Sequence, residues 1–342
     1  MKSIDKTYFR SMDSFTQIVL GIAVAEVCAG KQLKNKTFLY GAILGTLPDL
    51  DVLVGLLLNP VDAVLIHRGI SHSLFLFLLI SPLFGYIISK IEKGKINFFH
   101  ATNMSFWVLF THVLLDMFTS WGTQILWPLE HRFALKTIFV IDPLYTIPLI
   151  ISLIMVGKTK NETFRYKYIK RGLLVSSSYL LLSCFIKLYI LSQFEKALSK
   201  QGIQYAEIIV KPTAFNLILW NANIATTNHY LLADYSLFDT QPISFEAYSK
   251  NITLEKRLIG NSDFEKLKQA SEGWYIISKK DNHLYFNDLR FGLLNDNPTS
   301  PQFAFSYQFI QSNSELKAIE VPKSKRDGKR LLQKIFTRVK GN

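Results

Sequence analysis

The chain has 342 residues, 49% of them hydrophobic, and a formal net charge of +13. That length allows two domains. A soluble protein this basic would suggest nucleic acid, but no nucleic-acid motif occurs, and the cations cluster in loops between long apolar runs, as in the cytoplasmic loops of membrane proteins.

The first apolar run, 15–29, carries Glu26 and would span only ~22 Å as a helix. Runs at 38–58, 73–89, 104–118, 138–156 and 171–192 are each near the length that crosses a hydrocarbon core. Between them lie Lys31, Lys34 and Lys36, then Lys90, Lys93 and Lys95, then Lys158, Lys160, Arg165, Lys167, Lys170 and Arg171. Placing 90–95 and 158–171 in the cytoplasm predicts a topology in which everything after about 196 is extracytoplasmic. The 15–29 helix then either puts Lys2, Lys6 and Arg10 outside, against the charge rule, or enters without spanning. Both readings stay open.

After residue 200 the pattern changes. Tyr205–Val210, Leu217–Ala225, Tyr230–Leu237, Ile243–Tyr248, Trp274–Ser278, Leu284–Phe286 and Phe303–Ile310 read as strands separated by turn residues. One helical stretch, 254–271, interrupts them. The predicted fold is a mainly α membrane bundle of five to six helices followed by a small α+β extracytoplasmic domain. Its expected parts are 1–195, 196–322 and a basic tail, 323–342. The tail is partly amphipathic and either lies on anionic lipid or is solvated.

The chemistry concentrates in three segments. Gly45-Thr46-Leu47-Pro48-Asp49-Leu50-Asp51 sets two acids at a proline break. His67-Arg68-Gly69-Ile70-Ser71-His72-Ser73 brackets an arginine with two histidines, and Ser71 is a candidate N-cap. Thr111-His112-Val113-Leu114-Leu115-Asp116 places a His and an Asp four apart, on one helix face. Ionisable groups at membrane depth are expensive, so their default reading is functional. Asp49, Asp51, His67, His72, His112 and Asp116 are the candidate metal ligands. With nitrogen and oxygen ligands the ion would be zinc, or else manganese. Cys28 and Cys184 lie in separate apolar runs and form no ligand pair. Arg68 suits an anionic substrate group. Thr111, Thr119, Trp121, Gln124, Asp142 and Tyr145 are candidates to surround the site, and Gln17 could face the same cavity.

These segments, with Met12-Asp13-Ser14-Phe15-Thr16, the Asp116–Thr123 stretch and Asp142-Pro143, resemble the YdjM-like bacterial inner-membrane proteins. The likeness covers roughly 12–193. Asn287-Asp288-Leu289-Arg290-Phe291-Gly292 resembles the extra C-terminal domain of the longer subgroup. The resemblance implies a multi-pass protein of the bacterial inner membrane and a metal-dependent hydrolase. The order Asp, His, His-x3-Asp is also similar to that of zinc-dependent phospholipase C enzymes. The expected activity is therefore hydrolysis of a phosphoester of lipid or envelope origin, with Arg68 and Asp51 in catalytic roles. The expected partners are membrane lipid and an anionic small-molecule or lipid substrate. Two alternatives stand beside it: metal-dependent binding or transport without hydrolysis, and a non-enzymatic scaffold.

Overall fold

Proline and glycine set where the helices of the first half stop. The structure, a computed structural model, describes residues 13–294, 301–312, 315–322 and 328–342. Lys2, Lys6, Arg10 and Met12, and the tail at 323–327, lie outside the described residues. The 15–29 run belongs to a longer helix, α1 (Asp13–Leu33). α2 (Lys36–Thr46) follows after a tight turn with Lys34 at φ 50. The expected 38–58 helix is broken, because Pro48 has no N–H to donate to a helical ladder. The chain passes through a 3-10 turn, Leu47–Leu50, into α3 (Asp51–Gly55) and α4 (Pro60–Ile66).

A second 3-10 turn, Ile70–His72, precedes α5 (Leu74–Ile91). The expected cap moves by two residues: Ser73, not Ser71, accepts from the Leu76 N–H, at 3.1 Å. α6 (Phe98–Met117) returns from it. The 138–156 run is helical only from Pro143, in α7 (Pro143–Lys158). Asp142 caps that helix, accepting from the Leu144 N–H at 3.0 Å and from the Tyr179 hydroxyl at 2.7 Å. α8 (Glu162–Lys200) overruns the expected 171–192 at both ends. Among the described residues, Lys36–Gly55, Leu74–Ile91, Phe98–Met117 and Glu162–Lys200 are long and apolar enough to cross a membrane, and α7 is a shorter apolar helix.

The chain divides into two units. The first comprises Met1–Leu53 and Ile66–Cys184. Within it α1 and α2 meet backbone to backbone: a Cβ on Gly45 would stand 2.8 Å from the Gln17 carbonyl oxygen. Small residues permit such close approach in membrane bundles. α5 and α6 join through buried Phe77, Leu109 and Val113. Glu26, the acid inside the first apolar run, is held by Arg165, whose Nε and Nη2 donate to its two carboxylate oxygens, each at 2.9 Å. Arg165 Nη1 also donates to Asn35 Oδ1 at 2.7 Å, and Thr37 Oγ1 donates to Glu26. Arg165 therefore serves as a buried clasp rather than a loop cation. Breaking a buried pair from one side typically costs about 3–5 kcal/mol, because the remaining charge is stranded.

The second unit comprises Val54–Leu65 and Phe185–Asn342. Its described residues hold two four-stranded antiparallel sheets where one small sheet was expected. The first runs β1 (Glu207–Pro212), β2 (Leu219–Ala225), β3 (His229–Ser236), β4 (Glu246–Ser249). The second runs β5 (Tyr275–Lys280), β6 (His283–Leu293), β7 (Phe303–Ser312), β8 (Glu315–Glu320). The expected 254–271 helix is two pieces, α9 (Ile252–Glu255) and α10 (Ser262–Ala270). Gly260 at φ 85 closes the turn that follows α9, and Asn261 caps α10 by accepting from the Phe264 N–H at 3.0 Å. Phe264 and Leu267 of α10 and Val61 of α4 share a core with Tyr275, Ile277, Phe286 and Phe309. A second core joins Ile209, Tyr230 and Tyr248 to Trp274, Ile276 and Leu289. The final helix, α11 (Gly328–Val339), lies in the expected tail.

Candidate metal centre

α6 is the platform of the site. Its His112 and Asp116 share a face and are both buried. The Pro48 turn supplies Asp49, and the 3-10 turn before α5 supplies His72, which is fully buried. Asp116 Oδ2 lies 3.2 Å from His72 Nε2 and 3.5 Å from His112 Nε2. Asp49 Oδ1 lies 3.5 Å from His72 Nε2 and 3.4 Å from His112 Nε2. One ligand-type atom from each of the four residues falls within 4.8 Å of all the others, so the group could hold a metal ion.

Two observations test the fit. A tetrahedral ion with bonds of about 2.0–2.1 Å has ligand–ligand edges of roughly 3.3–3.4 Å. The four His–Asp separations, 3.2–3.5 Å, match that neighbouring-ligand length, and the His–His and Asp–Asp separations are within 4.8 Å. Second, three of the facing atoms, His72 Nε2, His112 Nε2 and Asp116 Oδ2, are buried with no hydrogen-bond partner, as is the other oxygen of Asp49, Oδ2. Polar atoms buried without a partner are costly, and a cation among them would remove that cost. The residues fit a divalent metal.

The surroundings orient the four. His112 Nδ1 sits 2.7 Å from the Gly45 carbonyl oxygen, which can only accept. The proton is therefore on Nδ1 and the lone pair on Nε2. His72 Nδ1 is 2.9 Å from Ser71 Oγ, and that hydroxyl donates to Asp51 Oδ2 at 2.7 Å. Ser71 thus accepts from His72 and again frees Nε2. Such outer hydrogen bonds fix the tautomers of ligand histidines. Asp116 Oδ1 accepts from Gln17 Nε2 at 2.9 Å and pairs with Arg68 Nη2 at 3.1 Å, which leaves Oδ2 toward the histidines.

Arg68 is only 2% exposed and adopts a left-handed backbone, φ 60. A non-glycine residue there is held by its surroundings. Its N–H donates to Asp51 Oδ2 at 2.9 Å and its Nη1 to Thr119 Oγ1 at 3.0 Å. Asp51 and His67 stand beside the four as a pair, with His67 Nδ1 3.1 Å from Asp51 Oδ1. His67 also meets Trp121 edge to face, the ring centroids 5.4 Å apart. The structure thus brings four of the six ligand-type residues together, with Asp51, His67 and Arg68 around them.

Two partners have no signal in the sequence. The Gly45 carbonyl is a backbone atom. Arg132 donates to the His67 carbonyl oxygen at 2.9 Å from 65 positions away. The segment after α6 also ties the histidine stretch through Gln124 N–H to the Arg68 carbonyl, 3.0 Å, and Leu74 N–H to the Ile125 carbonyl, 2.9 Å. Leu50, between the two acids, and Ile70, between the two histidines, are exposed apolar side chains.

The sequence profile described as YdjM inner membrane protein matches residues 12–194, just over half of the chain. A curated relative from Bacillus subtilis (strain 168), described as "Uncharacterized protein YfhP", is 27% identical over 168 residues, covering 46% of this chain and 51% of the relative. The chain therefore spans about half the length of that relative. No solved structure matches.

Proposed function

The chain belongs to the YdjM inner membrane protein family, and on that premise we propose that it is a membrane-embedded, metal-dependent hydrolase of phosphoesters carried by lipids or other envelope amphiphiles. The observation that carries the reading is the convergence of Asp49, His72, His112 and Asp116 with four buried, unpartnered atoms among them. We assign zinc to it, since a set of two imidazoles and two carboxylates suits zinc better than manganese, which favours octahedral oxygen sites. When bound, such an ion supplies Lewis acidity and an acidified water. His67, braced at Nδ1 by Asp51, is placed to move a proton through its other nitrogen. Arg68 holds Asp116 and keeps positive charge beside the site, favouring a substrate that gains negative charge during attack. The exposed Leu50 and Ile70 flank the ligand segments and favour an amphiphile over a wholly polar substrate.

The test is phosphate release by purified, detergent-solubilised protein on a panel of lipid and nucleotide phosphoesters. Turnover should favour lipid esters, vanish on chelation and return with zinc. His67→Ala should cut turnover by about 10²–10⁴-fold, the range for a positioned acid or base, with metal content retained. A metal-loaded wild type that hydrolyses nothing on the panel would move the binding or transport reading ahead.

The site's side of the membrane follows from the charge bias of the loops. We place 90–95 and 158–171 in the cytoplasm and the second unit outside. With Cys28 and Cys184 replaced by serine, a cysteine at Ser249 should react with a membrane-impermeant thiol reagent in intact cells, given access through any outer membrane. One at Lys93 should react only after lysis. The reverse pattern would put the unit in the cytoplasm.

A further inference from the structure

Among the described helices α11 is the most strongly amphipathic, and the proposed chemistry does not use it. Between Gly328 and Asn342 the sequence holds Lys329, Arg330, Lys334, Arg338 and Lys340 and no acid. Leu332, Ile335, Phe336 and Val339 recur at helical spacing. The C-terminal turn is clamped onto the β3–β4 connection. Arg338 pairs with Asp239, Ser236 Oγ donates to the Val339 carbonyl at 2.7 Å, and Thr240 Oγ1 donates to the Asn342 carbonyl at 2.9 Å. A Cβ on Gly341 would collide with the Phe238 backbone, so the helix end touches that connection directly. The clamp leaves large apolar groups uncovered: Phe336 is 61% exposed and Phe238 59%, with Leu237 also exposed.

We propose that α11, with Phe238 beside its end, is an interfacial anchor that lays the second unit on an anionic lipid surface. Cations and the exposed Phe336 on one short helix, with Phe238 beside its end, match the two parts of a bilayer interface, phosphate headgroups and acyl boundary. The same chain carries helices able to cross a membrane, so a bilayer is always within tether range and even a weak helix–lipid contact is made at high effective concentration. Nucleic acid would match the cations but would leave Phe336 and Phe238 without a partner. Each lysine or arginine at an anionic surface strengthens partitioning roughly fivefold. Arg338 is largely neutralised by Asp239.

The test uses the full chain with Cys28 and Cys184 replaced by serine and an environment-sensitive fluorophore on Phe336→Cys. It is reconstituted in nanodiscs of phosphatidylcholine alone or mixed with phosphatidylglycerol. The expected result is a blue-shifted, several-fold brighter emission in the anionic discs only, reversed by high salt. The same label on Ser249→Cys should stay water-like in both. Lys329→Glu, Arg330→Glu and Lys334→Glu together should abolish the shift. The salt titration reads the same contact without those substitutions, should they disturb folding. Equal emission from position 336 in neutral and anionic discs would overturn the proposal. So would a shift produced by added RNA and not by phosphatidylglycerol.

Discussion

Asp116→Ala should leave the purified protein without metal, while wild type carries about one divalent ion per chain. Asp116 is the residue on which the site is hung. One carboxylate oxygen faces His72 and His112 at 3.2 and 3.5 Å, and the other accepts from Gln17 and pairs with Arg68. Alanine there removes a ligand atom and strands a buried guanidinium. The loss should exceed the roughly 10–100-fold that removing an outer hydrogen-bond partner costs a metal site. His72→Ala should act the same way, since no neighbouring imidazole replaces its Nε2. Gln17→Ala supplies the milder comparison: it removes one hydrogen bond to Asp116 and should weaken affinity within that 10–100-fold range. Elemental analysis, followed by competition against a chromophoric chelator, reads both effects. Equal, near-zero metal in wild type, His72→Ala and Asp116→Ala after supplementation would remove the metal-dependent readings together.

What could be read without coordinates follows from how local each feature is. The His112–Asp116 pair was legible because helical spacing alone puts the two on one face. The bundle and the strand-rich second half were legible from periodicity. Asp49 and Asp51, by contrast, were both read as ligands from the proline break. What the spacing could not say is which of the two would join the histidines, because that depends on how the Leu47–Leu50 turn meets α6. His67 and His72 divided for a similar reason, with the turn at Ile70–His72 burying one and leaving the other against Trp121. Ser71 read as a cap and instead links His72 to Asp51. Glu26 and Arg165 were assigned separately, 139 positions apart, and only packing pairs them. β8 was missed because its Glu-Leu-Lys-Ala-Ile-Glu segment is short and charged. It is a strand by its pairing with β7, not by propensity.

Arg68→Ala should lower both metal affinity and turnover, and Arg68→Lys should separate the two losses. The sequence assigns Arg68 to an anionic part of the substrate; the structure has it pair with Asp116, donate to Thr119 and lie almost fully buried. A guanidinium stays protonated and cannot itself be a ligand, so its effect on metal must pass through Asp116. If holding Asp116 is its whole task, Arg68→Ala should weaken the metal by about 10–100-fold and turnover should recover fully at saturating zinc. If it also stabilises charge in the reacting substrate, a deficit of about 10²–10³-fold in kcat should persist at saturation, as for a lost transition-state donor. Lysine keeps the charge near Asp116 but loses the planar fork that serves Asp116 and Thr119 together. It should therefore restore metal affinity better than it restores kcat. Measuring kcat against zinc concentration for wild type, Arg68→Ala and Arg68→Lys distinguishes these outcomes. Full recovery of kcat in Arg68→Ala at saturating zinc would reduce Arg68 to a positioning residue. A deficit that zinc does not repair, in protein that melts like wild type and carries its metal, places the guanidinium at the reacting group.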